Sequence, residues 1–309
     1  MSMMLRAFVH TGSPLLVTPA AIICRAPLGL GSAYAVTQLN VLASPVRRLT
    51  EQDQIIDAIV DARIIRTVFQ PIVHLESATV IGFEALSRGP AGTGLEAPVA
   101  LLAAAERVGR RVELDWLCRV QALQMAADAG LPAELTWFVN VEQAGLAAAC
   151  PPALMATFST TLQRLRVVFE VVERRDGTSM SALMRGSEQA RRDGCGIAMD
   201  DIGVDSRALA MLELLHPDVV KLDLSLIQSP LRATGRSIAA AVRAYTARTG
   251  AVIVAEGIET IAHAHRAKRL GATHVQGFGY GRPGRLPASV PAPGHLALRR
   301  HHPALLAAQ

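Results

Sequence analysis

The chain has 309 residues, of which 50% are hydrophobic and 18% are charged, a balance typical of a globular protein rather than a disordered one. Aromatic residues make up 4%, which excludes the stacking platforms typical of proteins that bind single-stranded nucleic acid. The net charge of +5 arises at the ends: seven of the 31 basic residues lie in the acid-free stretches 1–50 and 284–309, and the other 24 face 26 acids. We therefore expect no nucleic-acid polymer as a partner.

The first 50 residues lack the periodic pattern of a folded element. Their apolar run, "PLLVTPAAIIC", contains two prolines and ends at Arg25, and no run in the chain reaches the about 18 apolar residues that span a bilayer. A basic start and the small residues at Ala33–Ala35 match a cleaved signal peptide in part, but Arg25 interrupts that pattern. We expect a disordered leader, or a start assigned too early, over residues 1–50, and no membrane contact.

The four cysteines are scattered along the chain without a C-x-x-C pair: Cys24, Cys118, Cys150 and Cys195. This spacing is typical neither of a disulfide framework nor of a zinc site. It indicates buried, small apolar side chains in a reducing compartment. The sequence therefore predicts a cytoplasmic protein.

From about Thr50, short β-branched runs alternate with longer stretches rich in Ala, Leu and Arg. Eight runs are predicted to be strands: "TVFQPIVHL", "ATVIGFEALS", "TWFVNVE", "VVFEVVE", "GIAMDDIG", "DVVKLDLSL", "AVIVAEGIE" and "ATHVQGFGYG". Helices are predicted over residues 99–110, 112–129, 152–165, 179–193, 206–215, 235–249 and 260–270. Glycines end three of them, at Gly194, Gly250 and Gly271.

Eight strands interleaved with helices over about 230 residues predict an α/β fold, a modified TIM (β/α)8 barrel. Only "ESA" separates the first two strands, so we expect them to form a hairpin, with one antiparallel strand at the start of the barrel. The barrel is predicted to span residues 51–285. The segment 286–309 is rich in Pro and Ala and is predicted to be a loose C-terminal tail.

Nearly every predicted strand ends in an acidic or polar side chain within an otherwise apolar run. In a barrel of this class the active site lies at the carboxyl ends of the strands. Carboxylates gathered at one rim repel one another unless cations neutralise them, and hard oxygen ligands suit Mg²⁺, Mn²⁺ or Ca²⁺ rather than zinc. The residues at these ends are Glu84, Asn140, Glu170, Glu173, Asp200, Asp201, Lys221, Glu256, Glu259 and Gln276.

The adjacent acids Asp200 and Asp201 indicate more than one ion. Neighbours in a strand point to opposite faces, so both can reach one site only where the strand ends. Each could then hold one of two ions. Two divalent ions about 3.5–4 Å apart are a recurring arrangement for the hydrolysis of phosphoesters.

Seven motifs follow one another in a family-specific order. The first is "QPIV…GFEALSR", with the triplet Glu84, Ala85 and Leu86. It is followed by "FVNV", "FEVVE", "MDD-G", "DVVKLD", "VAEGIET" and "QGFGYGRP". Together they resemble the EAL domain, a family of phosphodiesterases that open cyclic di-GMP to linear pGpG. The resemblance covers about residues 51–285, and so many motifs in order are far more specific than a single short pattern.

The resemblance implies a two-ion centre of Mg²⁺ or Mn²⁺. It implies that the first ion is held by Glu84, Asn140, Glu170 and Asp200. Asp201 would serve the second ion, with Asp200 shared between the two. Glu256 would be either a metal ligand or the general base, which the sequence does not decide.

The resemblance also implies roles around the substrate. Lys221 would lie beside the attacking water and the scissile phosphate, where an ammonium group counters the negative charge that develops. Gln276 would complete the polar shell near the water. Arg88 and Gln70 would contact cyclic di-GMP, Arg88 through a planar fork suited to phosphate oxygens, and Leu86 would line a guanine–ribose contact. Glu259 would brace the loop after the acid pair.

Structural explanations compete with these roles. Glu84 could form an ion pair with Arg88 along one face of a strand, and Lys221 could pair with Asp223 in the same way. Asn140 could be a turn residue and Gln276 a satisfied edge group, while Glu173 is as easily structural as functional. The histidines are not expected to act in catalysis, since His263 and His265 point about 200° apart on a helix.

The loop after the acid pair departs from the family pattern. Ile202 replaces an aromatic residue, Asp205 a glycine and Ser206 a second aromatic residue, while Glu142 stands where a small hydroxyl residue is common. The predicted ligands are all present, so hydrolysis of cyclic di-GMP is the expected function. The alternative is a slow or inactive member that acts as a receptor for cyclic di-GMP. A metal-using barrel enzyme acting on carbanions is a third option. The family tends to form homodimers, an expectation that the altered loop weakens.

Overall fold

The computed structural model describes residues 50–171, 178–203 and 208–296. Its strands are β1 (Arg66–His74), β2 (Val80–Arg88), β3 (Thr136–Val141), β4 (Arg166–Val171), β5 (Gly196–Ile202), β6 (Val219–Leu222), β7 (Val252–Ala255) and β8 (His274–Val275). Its helices are α1 (Glu51–Ala62), α2 (Pro98–Arg107), α3 (Arg111–Asp128), α4 (Gln143–Ala147), α5 (Pro152–Leu162), α6 (Met180–Arg192), α7 (Ala208–Leu215), α8 (Leu224–Gln228), α9 (Ala233–Thr249) and α10 (Ile261–Arg269).

The eight strands close into a barrel in chain order, from β1 to β8. β1 pairs antiparallel with both of its neighbours, β2 and β8, while the other six pairings are parallel. The predicted fold class, a modified TIM barrel with one antiparallel strand at the start, is therefore confirmed. The hairpin follows from the short β1–β2 connection, which leaves no room for a crossover helix.

Three helices were not predicted: α1, α4 and α8. α1 begins at a capping box in which the side chains of Thr50 and Asp53 each accept from the other's backbone N–H, a signal that the sequence does contain. The predicted strand "DVVKLDLSL" is too long, because Asp223 accepts the N–H of Ser225 at 2.8 Å and starts α8. Local capping therefore shortens β6 to four residues.

The interior of the barrel is built in two layers. An apolar floor is formed by Ile72, Ile81, Phe138, Val168, Ala198, Val219, Val254 and Leu296. Because alternate residues of a strand point to the same face, the residues two positions further along the parallel strands face the same interior, one layer higher. Those positions hold Asn140, Glu170, Asp200, Lys221 and Glu256. The strand period thus places a polar layer directly on an apolar one.

The segment that follows β8 returns to the barrel floor. Leu296 is fully buried in the floor cluster, and its carbonyl accepts from the guanidinium of Arg166 at 2.9 Å. Gly294 donates its N–H to the carbonyl of Val80 at 2.8 Å. A loose tail was predicted from residue 286, but the structure packs this segment as far as residue 296. Residues 297–309 lie outside the described part of the chain, and the predicted domain boundaries stay predictions.

Across the described ranges, none of the helices combines the length and the apolar character needed to cross a bilayer. Cys150 and Cys195 are buried and Cys118 is partly buried, and the three are free thiols. Cys24 and the rest of the predicted leader lie outside the described residues.

Candidate active site

The polar side chains at the strand ends converge on Lys221. Its Nζ lies 2.7 Å from Glu256 Oε1 and 2.9 Å from Glu170 Oε1. It lies 3.4 Å from both Glu84 Oε2 and Asp200 Oδ1. Four strands thus bring carboxylates to one ammonium group, and that group is fully buried. The structure pairs Lys221 with these acids rather than with Asp223, which caps α8.

A hydrogen-bond network holds Glu84 in place. Its Oε1 accepts from Asn140 Nδ2 at 2.8 Å, and its Oε2 accepts from Gln276 Nε2 at 2.6 Å. Gln276 also donates to Gln70 Oε1 at 3.1 Å, and Gln70 donates to the carbonyl of Gly281 at 3.0 Å. Because Gln276 and Gln70 are each fixed by two partners and Asn140 is fixed by Glu84, β1, β2, β3 and the end of β8 share one polar cluster. Glu84 is thus part of the site and not of a strand ion pair with Arg88.

The carboxylates retain free coordination capacity. Glu170 is fully buried, and its Oε1 contacts Lys221 Nζ at 2.9 Å, whereas its Oε2 has no hydrogen-bond partner among the described residues. Buried polar atoms are usually paired, so the unpaired Oε2 favours a bound cation at this point. Asp200, Asp201 and Glu256 also offer oxygens within 4.8 Å of one another, close enough to share an ion.

The crowding of acids shifts their proton affinities. Burial, together with the charges of Asp200 and Glu84, raises the pKa of Glu256 to about 8. Burial and the charge of Asp200 likewise raise the pKa of Asp201 to about 6. Burial and the charge of Glu84 raise the pKa of Glu170 well above its ordinary value. Five carboxyl groups around one lysine therefore favour the binding of additional cations, either protons or metal ions.

Glu84 and Lys221 differ from the other groups in the direction of their shifts. Burial acts to raise the pKa of Glu84, but Lys221 and the bonds from Gln276 and Asn140 outweigh it and lower the value. Burial acts to lower the pKa of Lys221, and the surrounding carboxylates raise it well above its ordinary value. Both groups therefore stay charged, as an ion pair at the centre of the site.

Asp201 has a backbone conformation that brings it beside Asp200. Its φ is +56°, in the left-handed region that aspartate tolerates better than most residues. The turn interrupts the strand alternation at the end of β5, where the pairing with β6 also changes register. Two neighbours on one strand can therefore serve one site, as the sequence predicted.

A cavity of about 260 Å³ opens beside the carboxylates, and Leu86 and Arg88 line its wall together with Glu84 and Asp201. Arg88 is partly buried and donates to the carbonyl of Ser87 at 2.8 Å. Burial lowers the pKa of its guanidinium. Two of the residues predicted to contact substrate thus lie on the open side of the site, and the third, Gln70, lies in the polar cluster beneath.

Not every predicted residue joins the cluster. Glu259 is exposed and lines a separate surface groove with Leu75 and Tyr280. Residues 204–207 of the loop that it was expected to brace, among them Asp205 and Ser206, lie outside the described residues, as does Glu173. Two further acids of the cavity wall, Asp115 and Glu142, were not predicted as site residues. Asp115 belongs to no motif, since it is one of three acids in the helix α3.

Comparison with known proteins finds a family match over most of the chain. The model of the EAL domain matches residues 52–283. The bifunctional diguanylate cyclase/cyclic di-GMP phosphodiesterase MucR of Pseudomonas aeruginosa is 31% identical over 225 residues, which are 70% of this chain and 32% of MucR. The cyclic di-GMP phosphodiesterase RocR of the same species is 29% identical, over 70% of this chain and 56% of RocR. The chain thus spans between a third and just over half of these relatives.

Solved structures show the same fold. The phosphodiesterase part of MucR, in complex with cyclic di-GMP, superposes with a TM-score of 0.63 at 28% identity and covers 76% of this chain and 98% of that one. Klebsiella pneumoniae BlrP1, in complex with manganese and cyclic di-GMP, superposes with a TM-score of 0.60 at 26% identity, over 72% of this chain and 56% of that one. With its family model spanning three quarters of the sequence and its strand-end carboxylates in one cluster, the chain belongs to the EAL domain family.

Proposed function

We propose that this chain hydrolyses cyclic di-GMP to linear pGpG with the help of two divalent ions, Mg²⁺ or Mn²⁺. The observation that carries the proposal is the cluster of five carboxylates around Lys221, at the strand ends of an EAL-family barrel. Relatives named as cyclic di-GMP phosphodiesterases, and a relative solved with manganese and cyclic di-GMP, support the substrate and the kind of metal.

The chemistry of the donor set suits a pair of hard cations. Carboxylate and amide oxygens are the ligands that Mg²⁺ and Mn²⁺ prefer. We assign the first ion to Glu84, Asn140, Glu170 and Asp200, and the second to Asp201 with Asp200 shared. Glu256 lies close enough to the acid pair to join them. When bound, two such ions activate a water molecule for attack on phosphorus and stabilise the leaving oxygen.

Lys221 acts in this proposal as a fixed positive charge. Its contacts with four carboxylates hold the ammonium group at the centre of the cluster, so no side chain has to reorganise during the reaction. A preorganised charge stabilises the negative charge that builds up on the phosphate in the transition state. Gln276 donates hydrogen bonds to both Glu84 and Gln70, and so fixes the orientation of these two side chains next to Lys221.

Glu256 fits the role of a proton acceptor. Burial and the charges of Asp200 and Glu84 raise its pKa, which favours the uptake of a proton. It is also the acid nearest to Lys221, at 2.7 Å. Glu256 either accepts the proton of the attacking water or binds an ion directly, and the two roles differ in their effect on metal affinity.

The substrate is proposed to lie in the cavity beside the carboxylates. Arg88 offers a planar pair of N–H donors for a phosphate oxygen, and Leu86 offers an apolar surface for a guanine–ribose unit. Gln70 is buried within the polar cluster and does not line the cavity, so its amide would contact the substrate only at the bottom of the site.

The test is to incubate the purified protein with cyclic di-GMP and Mg²⁺ and to separate the products by chromatography. We expect pGpG from the wild type and none from Glu84→Ala, which removes a ligand and the acceptor of two hydrogen bonds. Glu134→Ala is the matched control, because Glu134 is an exposed acid just before β3, at the opposite end of the barrel. Saturable binding of cyclic di-GMP by calorimetry without any pGpG would instead make the chain a receptor.

A further inference from the structure

A buried ion pair lies on α3, next to the strands that carry Asn140 and Glu170. Asp115 Oδ2 accepts from Arg119 Nη2 at 2.6 Å, one helical turn apart. Asp115 is 5% exposed and Arg119 is 1% exposed, which makes Arg119 one of the largest fully buried side chains in the described chain. Charges are rarely buried to this extent without a specific reason.

The acidic member of the pair binds the backbone at the end of β3. Asp115 Oδ1 accepts the N–H of Glu142 at 3.0 Å. Glu142 directly follows β3 and lies two residues beyond Asn140. Gly145 packs against the same carboxylate so closely that a Cβ atom there would lie 2.0 Å from Oδ2. Asp115 is therefore enclosed between α3 and α4, and its carboxylate fixes the point where the chain leaves β3.

The basic member of the pair contacts the next strand. The guanidinium of Arg119 lies 3.8 Å from the centre of the Trp116 ring and 5.2 Å from that of Phe169. Phe169 immediately precedes Glu170 on β4. Stacking of a guanidinium on aromatic rings is attractive and restricts its position. One ion pair thus contacts residues next to two proposed metal ligands, Asn140 on β3 and Glu170 on β4.

Stability alone does not account for this arrangement. Burying two charges costs more free energy than a solvent-exposed pair, and replacing such a pair with packed apolar side chains is often neutral or stabilising. The pair is also incompletely satisfied, because Arg119 Nε has no hydrogen-bond partner among the described residues. The contacts of the pair, by contrast, go to residues near the proposed ligands. Asp115 accepts the N–H of Glu142, two residues after Asn140, and Arg119 contacts the ring of Phe169, which precedes Glu170.

We propose that Asp115 and Arg119 are positioning residues of the metal centre. Asp115 holds the end of β3 through the Glu142 amide, and Arg119 holds Asp115 and the Phe169 ring, so that the oxygens of Asn140 and Glu170 face the ions. The inference rests on the proposed function, because it needs a metal centre to act upon. Residues outside the ligand set that orient ligands typically change metal affinity or activity by about 10- to 100-fold.

Asp115→Asn tests the role of the carboxylate. An amide of the same shape can accept from only one of its two donors, so either the Glu142 N–H or Arg119 loses its partner. We expect calorimetric titration of the metal-free protein with Mn²⁺, without substrate, to show about 10-fold weaker binding. Arg119→Met is expected to weaken Mn²⁺ binding to a similar extent, since it keeps a long apolar side chain beside Trp116 but leaves Asp115 without its ion-pair partner. This second variant provides the test if Asp115→Asn does not fold.

Asp53→Asn is the matched control. Asp53 is also a buried acid, 1% exposed, and its side chain pairs with Arg107 at 2.7 Å. Its hydrogen bonds go to Thr50 and Arg107, away from β3 and β4. We expect Asp53→Asn to lower the unfolding temperature but to bind Mn²⁺ like the wild type. Measuring binding below all the unfolding temperatures separates positioning from loss of stability.

The outcomes distinguish this inference from the function on which it rests. Wild-type affinity for Mn²⁺ in both Asp115→Asn and Arg119→Met would overturn the positioning role and leave the proposed function intact. Equal weakening in Asp53→Asn would overturn it as well, because the effect would then be general. A wild-type protein that binds no Mn²⁺ would overturn the metal centre and the positioning role together.

Discussion

At Lys221 one ammonium group meets four carboxylates within 3.4 Å, and a fifth acid, Asp201, lies beside them. The site therefore keeps an excess of negative charge even with the lysine charged. Replacing the lysine should therefore lower turnover without weakening metal binding. Replacing one of the acids should change how the stability of the protein depends on pH.

Lys221→Met is expected to lower the turnover of cyclic di-GMP by about 100- to 1,000-fold, the effect of losing a charge that stabilises a transition state. Affinity for Mn²⁺ should stay the same or increase, because the variant removes a positive charge from among the ligands. Steady-state kinetics and calorimetry measure the two effects. Lys268→Met, which changes an exposed lysine paired with Glu76, is the control. An unchanged turnover number in Lys221→Met would contradict the role.

Glu256→Gln is expected to change the pH dependence of stability. The pKa of Glu256 is about 8 in the folded protein, against an ordinary value of 4.5. Between these values the folded state binds more protons than the unfolded state, so this group makes the free energy of unfolding fall as the pH rises.

Thermal unfolding in EDTA between about pH 5 and pH 8 measures this effect. The wild type should lose more stability with rising pH than Glu256→Gln. Added Mg²⁺ should reduce the loss, because the ion favours the charged carboxylate. Identical slopes for the two proteins would show that the environment of Glu256 does not disfavour its charge.

The positions of most site residues were predictable because strand geometry is simple. Asn140, Glu170 and Asp200 lie near the carboxyl ends of β3, β4 and β5, and Glu84 lies in the middle of β2; the period of two places all four on the interior face. The ion-pair partners of Lys221 were harder to predict from the sequence. Asp223 was one candidate partner, but in the structure its carboxylate caps α8 instead. Asp115 and Arg119 were missed because burial on a helix depends on tertiary packing that no local pattern records.

At the scale of elements, the segment after β8 shows where composition misleads. Its Pro/Ala-rich sequence has neither the helical nor the strand period, so a loose tail was predicted from residue 286. The structure brings Leu296 into the barrel floor, against apolar residues from seven strand positions. This contact is made by a single side chain at the end of an irregular segment, so no periodic pattern of apolar residues in the sequence predicts it.

Leu296→Ala is expected to lower the free energy of unfolding by about 2–5 kcal/mol, the usual range for removing a buried leucine side chain. The residue is fully buried, and the polar layer lies directly above the floor that it completes. Equilibrium unfolding in urea measures the change. Val99→Ala is the control, because Val99 is 70% exposed and should cost little. Equal stabilities of the two variants would mean that the segment does not close the floor.

At the scale of the whole molecule, the fold could be derived from the alternation of strands and helices, and the antiparallel start from the short first connection. The closure of the barrel turns a set of separate strand ends into one cluster, since the seven parallel strands β2 to β8 bring their carboxyl ends to the same rim. The loop after the acid pair was the main departure from the family pattern. Four of its residues, 204–207, lie outside the described part of the chain.

The most direct test of the central claim is the rate of pGpG formation by the full chain after its metal has been removed with EDTA and then returned. The strand-end carboxylates are proposed to work only through divalent ions, so the stripped protein should form no pGpG. Excess Mg²⁺ or Mn²⁺ should restore the rate in the wild type and fail to restore it in Asp201→Asn. Formation of pGpG at the same rate in excess EDTA would contradict the account.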